Sequence, residues 1–160
     1  MHAKPQIEHE WLQQLVGNWT FDTECLMGPD EPPYKASGKE VVRSLGGLWT
    51  IAEGEHSDPK GGDNHQSIMT LGYDPLCQKY VGTFTASMMT YLWVYQGTLN
   101  DSKTVLTLDT EGPHFSGTGL GKYQDLIEIV SPDHRVLRSQ MLGEDGQWVP
   151  FMTGHYFRQK

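Results

Sequence analysis

Two glutamates, Glu40 and Glu53, are the side chains in this sequence best placed to do chemistry together. They flank Gly46-Gly47, a pair suited to a two-residue hairpin turn. Such a turn sets Ser44 against Trp49, Val42 against Ile51 and Glu40 against Glu53, and cross-strand partners project to one face. Lys35, Lys39 and Arg43 take the opposite face, so the two acids are expected on the inner wall, with Glu55 one step further along. Like charges placed opposite one another repel, and one ionised carboxylate buried without a partner costs several kcal/mol. A neutral hydrogen-bonded acid, an arginine, a metal or a ligand amine would resolve that conflict. Arg138, which alternates with apolar Leu137 and Met141, is the expected counter-charge. The competing reading leaves both glutamates at an open, solvated rim, or has the strand register differ by one.

Other reactive residues carry less. Seven histidines occur, without His-x-x-x-His or Cys-x-x-Cys spacing. Glu53-x-Glu55-His56 and His65 could be imagined as metal ligands, but solvated loop histidines are the simpler reading, so no metal is expected. Cys25 and Cys77 stand in no metal or redox motif and read as reduced thiols of a cytoplasmic protein. The glycines of Gly117-Thr118-Gly119-Leu120-Gly121 have the wrong spacing for a dinucleotide loop. There is no Gly-x-Ser-x-Gly elbow. Nothing beyond the glutamate pair points to catalysis.

The elements that must hold these residues are almost all strands. Residues 6–16 read as a helix with Ile7, Trp11 and Leu15 at four-residue steps, and Gly17 ends it. Strand one then alternates Trp19, Phe21, Thr23, Cys25 and Met27 against Asn18, Thr20, Asp22 and Glu24, the signature of a half-buried strand. Further strands are expected at about 34–45, 48–56, 66–73, 79–87, 89–99, 103–110, 121–130, 135–142 and 147–158. Turn residues separate most of them, among them Asp74-Pro75, Asn100-Asp101, Ser131-Pro132-Asp133 and Glu144-Asp145-Gly146. Ten short strands at this spacing imply an antiparallel barrel or sandwich.

Composition narrows the partners. A chain of 160 residues is one domain, large enough to bury roughly 68–70% of its unfolded surface. Eighteen glycines, nine prolines and seventeen aromatic residues suit a turn-rich all-β protein. A formal charge of −8 offers no basic stripe for a nucleic-acid backbone and argues against a membrane surface. Met1-His2-Ala3-Lys4-Pro5 has no apolar core of a secretion signal, and no run is long enough to span a bilayer as a helix.

Gly17-Asn18-Trp19, after a short helix and at the start of strand one, resembles the Gly-x-Trp signature of calycins, the lipocalin-like barrels. The resemblance implies that Trp19 closes the barrel floor and that a basic residue of the last strand, here Arg158, packs over it. The wider wording is similar to the bacterial family called domain of unknown function 1579. It includes Glu8-His9-Glu10-Trp11-Leu12, Arg43-Ser44-Leu45-Gly46-Gly47-Leu48-Trp49 and Met69-Thr70-Leu71-Gly72-Tyr73-Asp74-Pro75. Ser87 to Tyr95, Leu106 to Asp109 with Glu111-Gly112-Pro113, and Phe151 to Tyr156 extend it over nearly the whole chain. That family implies a fold and no activity. The calycin likeness also implies a haem alternative: nitrobindin-like barrels carry an iron-ligating histidine on a C-terminal strand, and His155 in Thr153-Gly154-His155-Tyr156 is the matching residue.

Strand six puts Met89, Tyr91, Trp93 and Tyr95 on one face and Leu92 and Val94 on the other. Strand ten sets Trp148, Met152 and Tyr156 against Val149, Phe151 and Phe157. One face of each lines the interior, and the second is expected to meet another surface, either a partner subunit in a homodimer or the N-terminal helix and loops. The leading expectation is a lipocalin-like barrel over residues 18–158 that binds a small, partly apolar ligand without a cofactor. Trp49, Tyr91, Trp93 and Phe21 would shape the site, and Glu40, Glu53 and Arg138 would hold the ligand's polar end. A haem protein with His155 as axial ligand, and a filled barrel serving only as an assembly module, are the alternatives.

Overall fold

The computed structural model describes residues 1–160. Helix α1 (Ile7–Gln13) precedes ten antiparallel strands: β1 (Gly17–Cys25), β2 (Tyr34–Leu45), β3 (Trp49–Ser57), β4 (His65–Asp74), β5 (Lys79–Ala86), β6 (Trp93–Leu99), β7 (Val105–Pro113), β8 (Leu120–Ser131), β9 (His134–Leu142) and β10 (Trp148–Gln159). Each strand pairs with the next, and β10 returns to β1, which closes the barrel and leaves no free edge. The expected all-β barrel with a short N-terminal helix is therefore what the chain forms.

Alternation decides what fills it. Trp19 and Phe21 of β1, Val42 of β2, Leu71 of β4, Tyr80 of β5, Tyr95 of β6, Leu106 and Leu108 of β7, Ile127 of β8 and Tyr156 of β10 make one buried cluster with Leu12 and Leu15. The helix sits differently from its four-residue stripe. His9 and Leu12 are its buried residues, whereas Ile7 is 62% exposed. The His9 ring explains the rotation: Nδ1 accepts the Gln6 backbone N–H at 2.9 Å, and Nε2 is hydrogen-bonded to the Tyr73 carbonyl at 3.0 Å. A polar ring held from two sides can be buried.

Trp19 closes the floor. Its indole N–H donates to the Leu15 carbonyl at 2.9 Å, and Arg158, its cross-strand partner, lies over the ring at 4.3 Å. The guanidinium of Arg158 also donates to the carbonyls of Val16 (2.6 Å) and Gln14 (2.7 Å), acceptors freed where α1 ends. The last strand is thus tied to the helix by the residue that covers the floor.

The Gly46-Gly47 hairpin departs from expectation. Leu45 pairs with Trp49, so three residues form the loop rather than two, with Gly46 and Gly47 both left-handed at φ 66° and 74°. One extra loop residue shifts every later partner by one. Glu40 faces Gly54 and Val41 faces Glu53.

Arg158→Lys keeps the charge and loses the flat fork that stacks on Trp19 while reaching two carbonyls. It is expected to lower unfolding stability by about 1–2 kcal/mol, read from the urea midpoint; an unchanged midpoint would show that Arg158 does not hold the floor.

Candidate functional site

The barrel is hollow on one side. The inner rings of β6–β8 meet one another: Trp93 lies against Tyr123 (5.1 Å between ring centroids), and a Cβ on Gly112 of β7 would sit 2.1 Å from the Trp93 ring. Across the barrel, Ala36, Val42, Thr50 and Ala52 are small or slender and fill less space. What remains is a cavity of about 390 Å³ running from Leu15, Val42 and Leu71 near the floor to Cys25, Tyr34, Met88 and Met152 at the mouth. Most of its wall is apolar, with three polar groupings set into it.

The deepest grouping is an ion pair. Arg135 of β9 binds Glu40 of β2, with side chains only 6% and 12% exposed. The guanidinium lies between two rings, 4.7 Å from Trp19 and 4.1 Å from Tyr156. Glu40 and Arg158 both pair with Trp19 across β1, so the acid, the indole and the covering guanidinium form one row. The Arg135 Nε–H is buried without an acceptor. Burial, then Glu40, pushes the Tyr156 phenol well up, with Arg135 opposing.

The second grouping centres on Asp125 of β8. Tyr95 donates its hydroxyl to Oδ2 and Ser139 donates to Oδ1, each at 2.5 Å. Asp125 is half-buried and lines the cavity. Burial raises its carboxyl above the ordinary range, and the hydrogen bonds from Ser139 and Tyr95 pull the other way. No cation pairs with it.

Nearer the mouth, the His56 and His65 rings stack at 4.5 Å, and His56 Nε2 is hydrogen-bonded to Ser67 Oγ at 3.1 Å. Burial, reinforced by His65, lowers the His56 pKa to about 4. No group of three or more His, Cys, Asp and Glu side chains is placed to hold a metal ion.

The residues expected to form the site do not assemble. Of the seven, Glu40 alone lines the cavity, and Phe21 stands directly behind two of its walls, against His56 and Tyr156. Glu53 is on the outer wall, 3.5 Å from Arg43 and 56% exposed, because the three-residue loop moved it. Trp49 is turned outward by the same shift; its ring covers Gly72, where a Cβ would lie 2.4 Å away. Arg138 is also outside, bonded to Glu128 at 2.7 Å. Tyr91 precedes β6 and donates to the Glu111 carbonyl, and Trp93 packs in the ring cluster. His155 faces out, hydrogen-bonded to His134 at 3.1 Å and beside Phe157, so it does not reach the cavity as an axial ligand would.

Arg135 and Asp125 are the residues missed. On β9, Arg135-Leu137-Ser139 and Val136-Arg138-Gln140 each hold one arginine and one aliphatic, so alternation does not choose between them. On β8 the signal existed: Tyr123, Asp125, Ile127 and Ile129 share a face that is apolar except for the acid. Strand ten hid another wall residue, since a register shift between Pro150 and Met152 lets Phe151 line the cavity.

The family model described as protein of unknown function, DUF1579, matches residues 4–158. No curated protein matches the chain. A crystal structure of Rv2717c from M. tuberculosis aligns with TM-score 0.63 and 14% identity over 98% of this chain and all of the other. The S-type phycobiliprotein lyase CPES from Guillardia theta aligns with TM-score 0.60 and 13% identity over 98% of this chain and 99% of that one. The barrel EF1p2_mFAP2b, solved bound to DFHBI, gives 0.51 and 14% over 95% and 99%. At these identities the likeness is one of fold.

Glu40→Gln leaves the Arg135 charge buried without its partner and is expected to cost about 3–5 kcal/mol, whereas Glu53→Gln on the exposed wall should stay within about 0.5 kcal/mol. Urea unfolding of the two variants checks both. His56 is lowered in the fold from 6.5 to about 4, so the unfolded chain binds the proton more readily between those values. Stability contributed by neutral His56 is complete above 6.5 and lost as pH falls toward 4. His56→Gln should flatten that part of the stability profile relative to the parent; parallel profiles would rule out the histidine as its source.

Proposed function

The chain belongs to the DUF1579 family, and within that frame we propose that it is a binding protein whose barrel receives one small, largely apolar molecule. The observation that carries this is the cavity of about 390 Å³, which lies inside the range of about 300–1,000 Å³ usual for small-molecule sites. Its wall has the expected make-up: an apolar body with a few placed polar groups. Glu40, Arg135, Asp125, Ser139, His56 and Ser67 are those groups. Solved barrels of this shape include one bound to DFHBI and one described as a phycobiliprotein lyase, which supports small-molecule binding in general. A homodimer is a separate expectation, resting on exposed apolar side chains of the outer wall such as Val94 (58% exposed), Val149 (50%) and Phe157 (43%).

The test is a neutral, environment-sensitive dye. Nile red is expected to brighten on mixing with the protein and to show one site per chain. Ala52→Trp fills the cavity from β3 and should abolish that signal while the circular dichroism spectrum stays unchanged. Brightening that survives in the folded Ala52→Trp protein would place the dye elsewhere and sink the reading.

A further inference from the structure

Resting on that reading, we infer that the molecule taken into the barrel carries a basic nitrogen, seated as an ammonium on Asp125, and that the cavity discriminates against carboxylates. The inference begins with the inventory of charge along the wall. Two carboxyl groups, Glu40 and Asp125, line the cavity, against Arg135 as its sole guanidinium or ammonium group. Arg135 is committed: it binds Glu40 and is clamped between the Trp19 and Tyr156 rings. Asp125 is not. Its only side-chain partners are two hydroxyls, one on each oxygen, and neither supplies a positive charge.

An ionised carboxylate can accept on about four lone-pair sites. Tyr95 and Ser139 use one on each oxygen, which leaves a further acceptor site on each for a donor arriving through the cavity. Such a donor is worth most if charged, because a charge-assisted hydrogen bond is roughly twice as strong as a neutral one. An ammonium would also supply the opposite charge that a buried acid otherwise lacks. The opposite choice fails by the same accounting. A ligand carboxylate would have to share Arg135 with Glu40 while lying in one enclosure with Asp125, three acids to one guanidinium. Leaving charges unmatched in this way is how a site rejects a ligand.

Three probes with one apolar tail separate the possibilities: decylamine, decanol and decanoate, measured by displacement of Nile red and by calorimetry at neutral pH. The expected order is decylamine, then decanol, then decanoate, with about tenfold or more between the amine and the acid. A chain of charge −8 attracts amines anywhere on its surface, so Asp125→Asn is the decisive variant. It should bring the amine-to-acid ratio close to one. Should that variant fold poorly, the carboxyl carbon resonance of Asp125 in the parent protein serves instead. The pH at which it titrates should fall with decylamine and stay put with decanol. Decanol binding with no amine preference, a preference that survives in Asp125→Asn, or a resonance that ignores decylamine overturns this inference and leaves the binding reading intact. If none of the three probes displaces the dye, the inference falls, and the Ala52→Trp comparison alone decides the binding reading.

Discussion

The indole of Trp19 has two guanidinium groups over it: Arg158 covers it at the floor at 4.3 Å, and Arg135 approaches from within at 4.7 Å. Cation–π contacts are worth about 0.5–1 kcal/mol when exposed and about 2 when desolvated. Their weight here comes from what else each arginine holds. Arg158 ties β10 to the carbonyls at the end of α1, and Arg135 fixes Glu40 of β2. Through one ring the helix, the first two strands and the last two strands are held in mutual register, and the deepest polar group of the cavity is set in place.

That constraint has a direct consequence for the interior. A closed barrel has no edge at which a strand can slip, so each residue is committed inside or outside by parity alone. Where parity is plain, the interior is legible from residues: Trp19, Phe21, Thr23 and Cys25 lie as β1 alternation says, and the order of ten strands follows from turn chemistry. Where parity depends on a loop of unknown length, it is not. Gly46-Gly47 allows a two- or a three-residue connection, and the difference carried Glu53 and Trp49 to the outer wall. β9 failed for another reason, since both of its faces carry an arginine beside aliphatics and burial of Arg135 depends on Glu40, Trp19 and Tyr156 from three other strands. A partnership assembled from four strands leaves no local trace in any one of them.

The uneven filling of the barrel explains why the aromatic residues were poor guides to the site. Rings attract rings, and edge-to-face pairs add about 0.5–1.5 kcal/mol to simple burial. Tyr91, Trp93, Phe115, Tyr123 and Phe151 accordingly pack among themselves. Gly112 gives the Trp93 ring its berth. The large side chains therefore stop up one half, and the hollow forms where side chains are short. Trp93 and Tyr91 close the barrel; Ala52, Thr50 and Ala36 open it.

The polar groups then need a reason of their own. Replacing a buried ion pair with apolar side chains of similar volume is commonly neutral or stabilising by about 1–4 kcal/mol. A barrel selected only to stand up would gain by losing Glu40, Arg135 and Asp125. These residues sit on the cavity wall, and they leave one acid, Asp125, facing the space without a positive partner. An acid held inside the barrel without a positive partner is accounted for if that partner comes from solution. The wall is incomplete at Asp125, where a bound molecule carrying a positive donor would complete it.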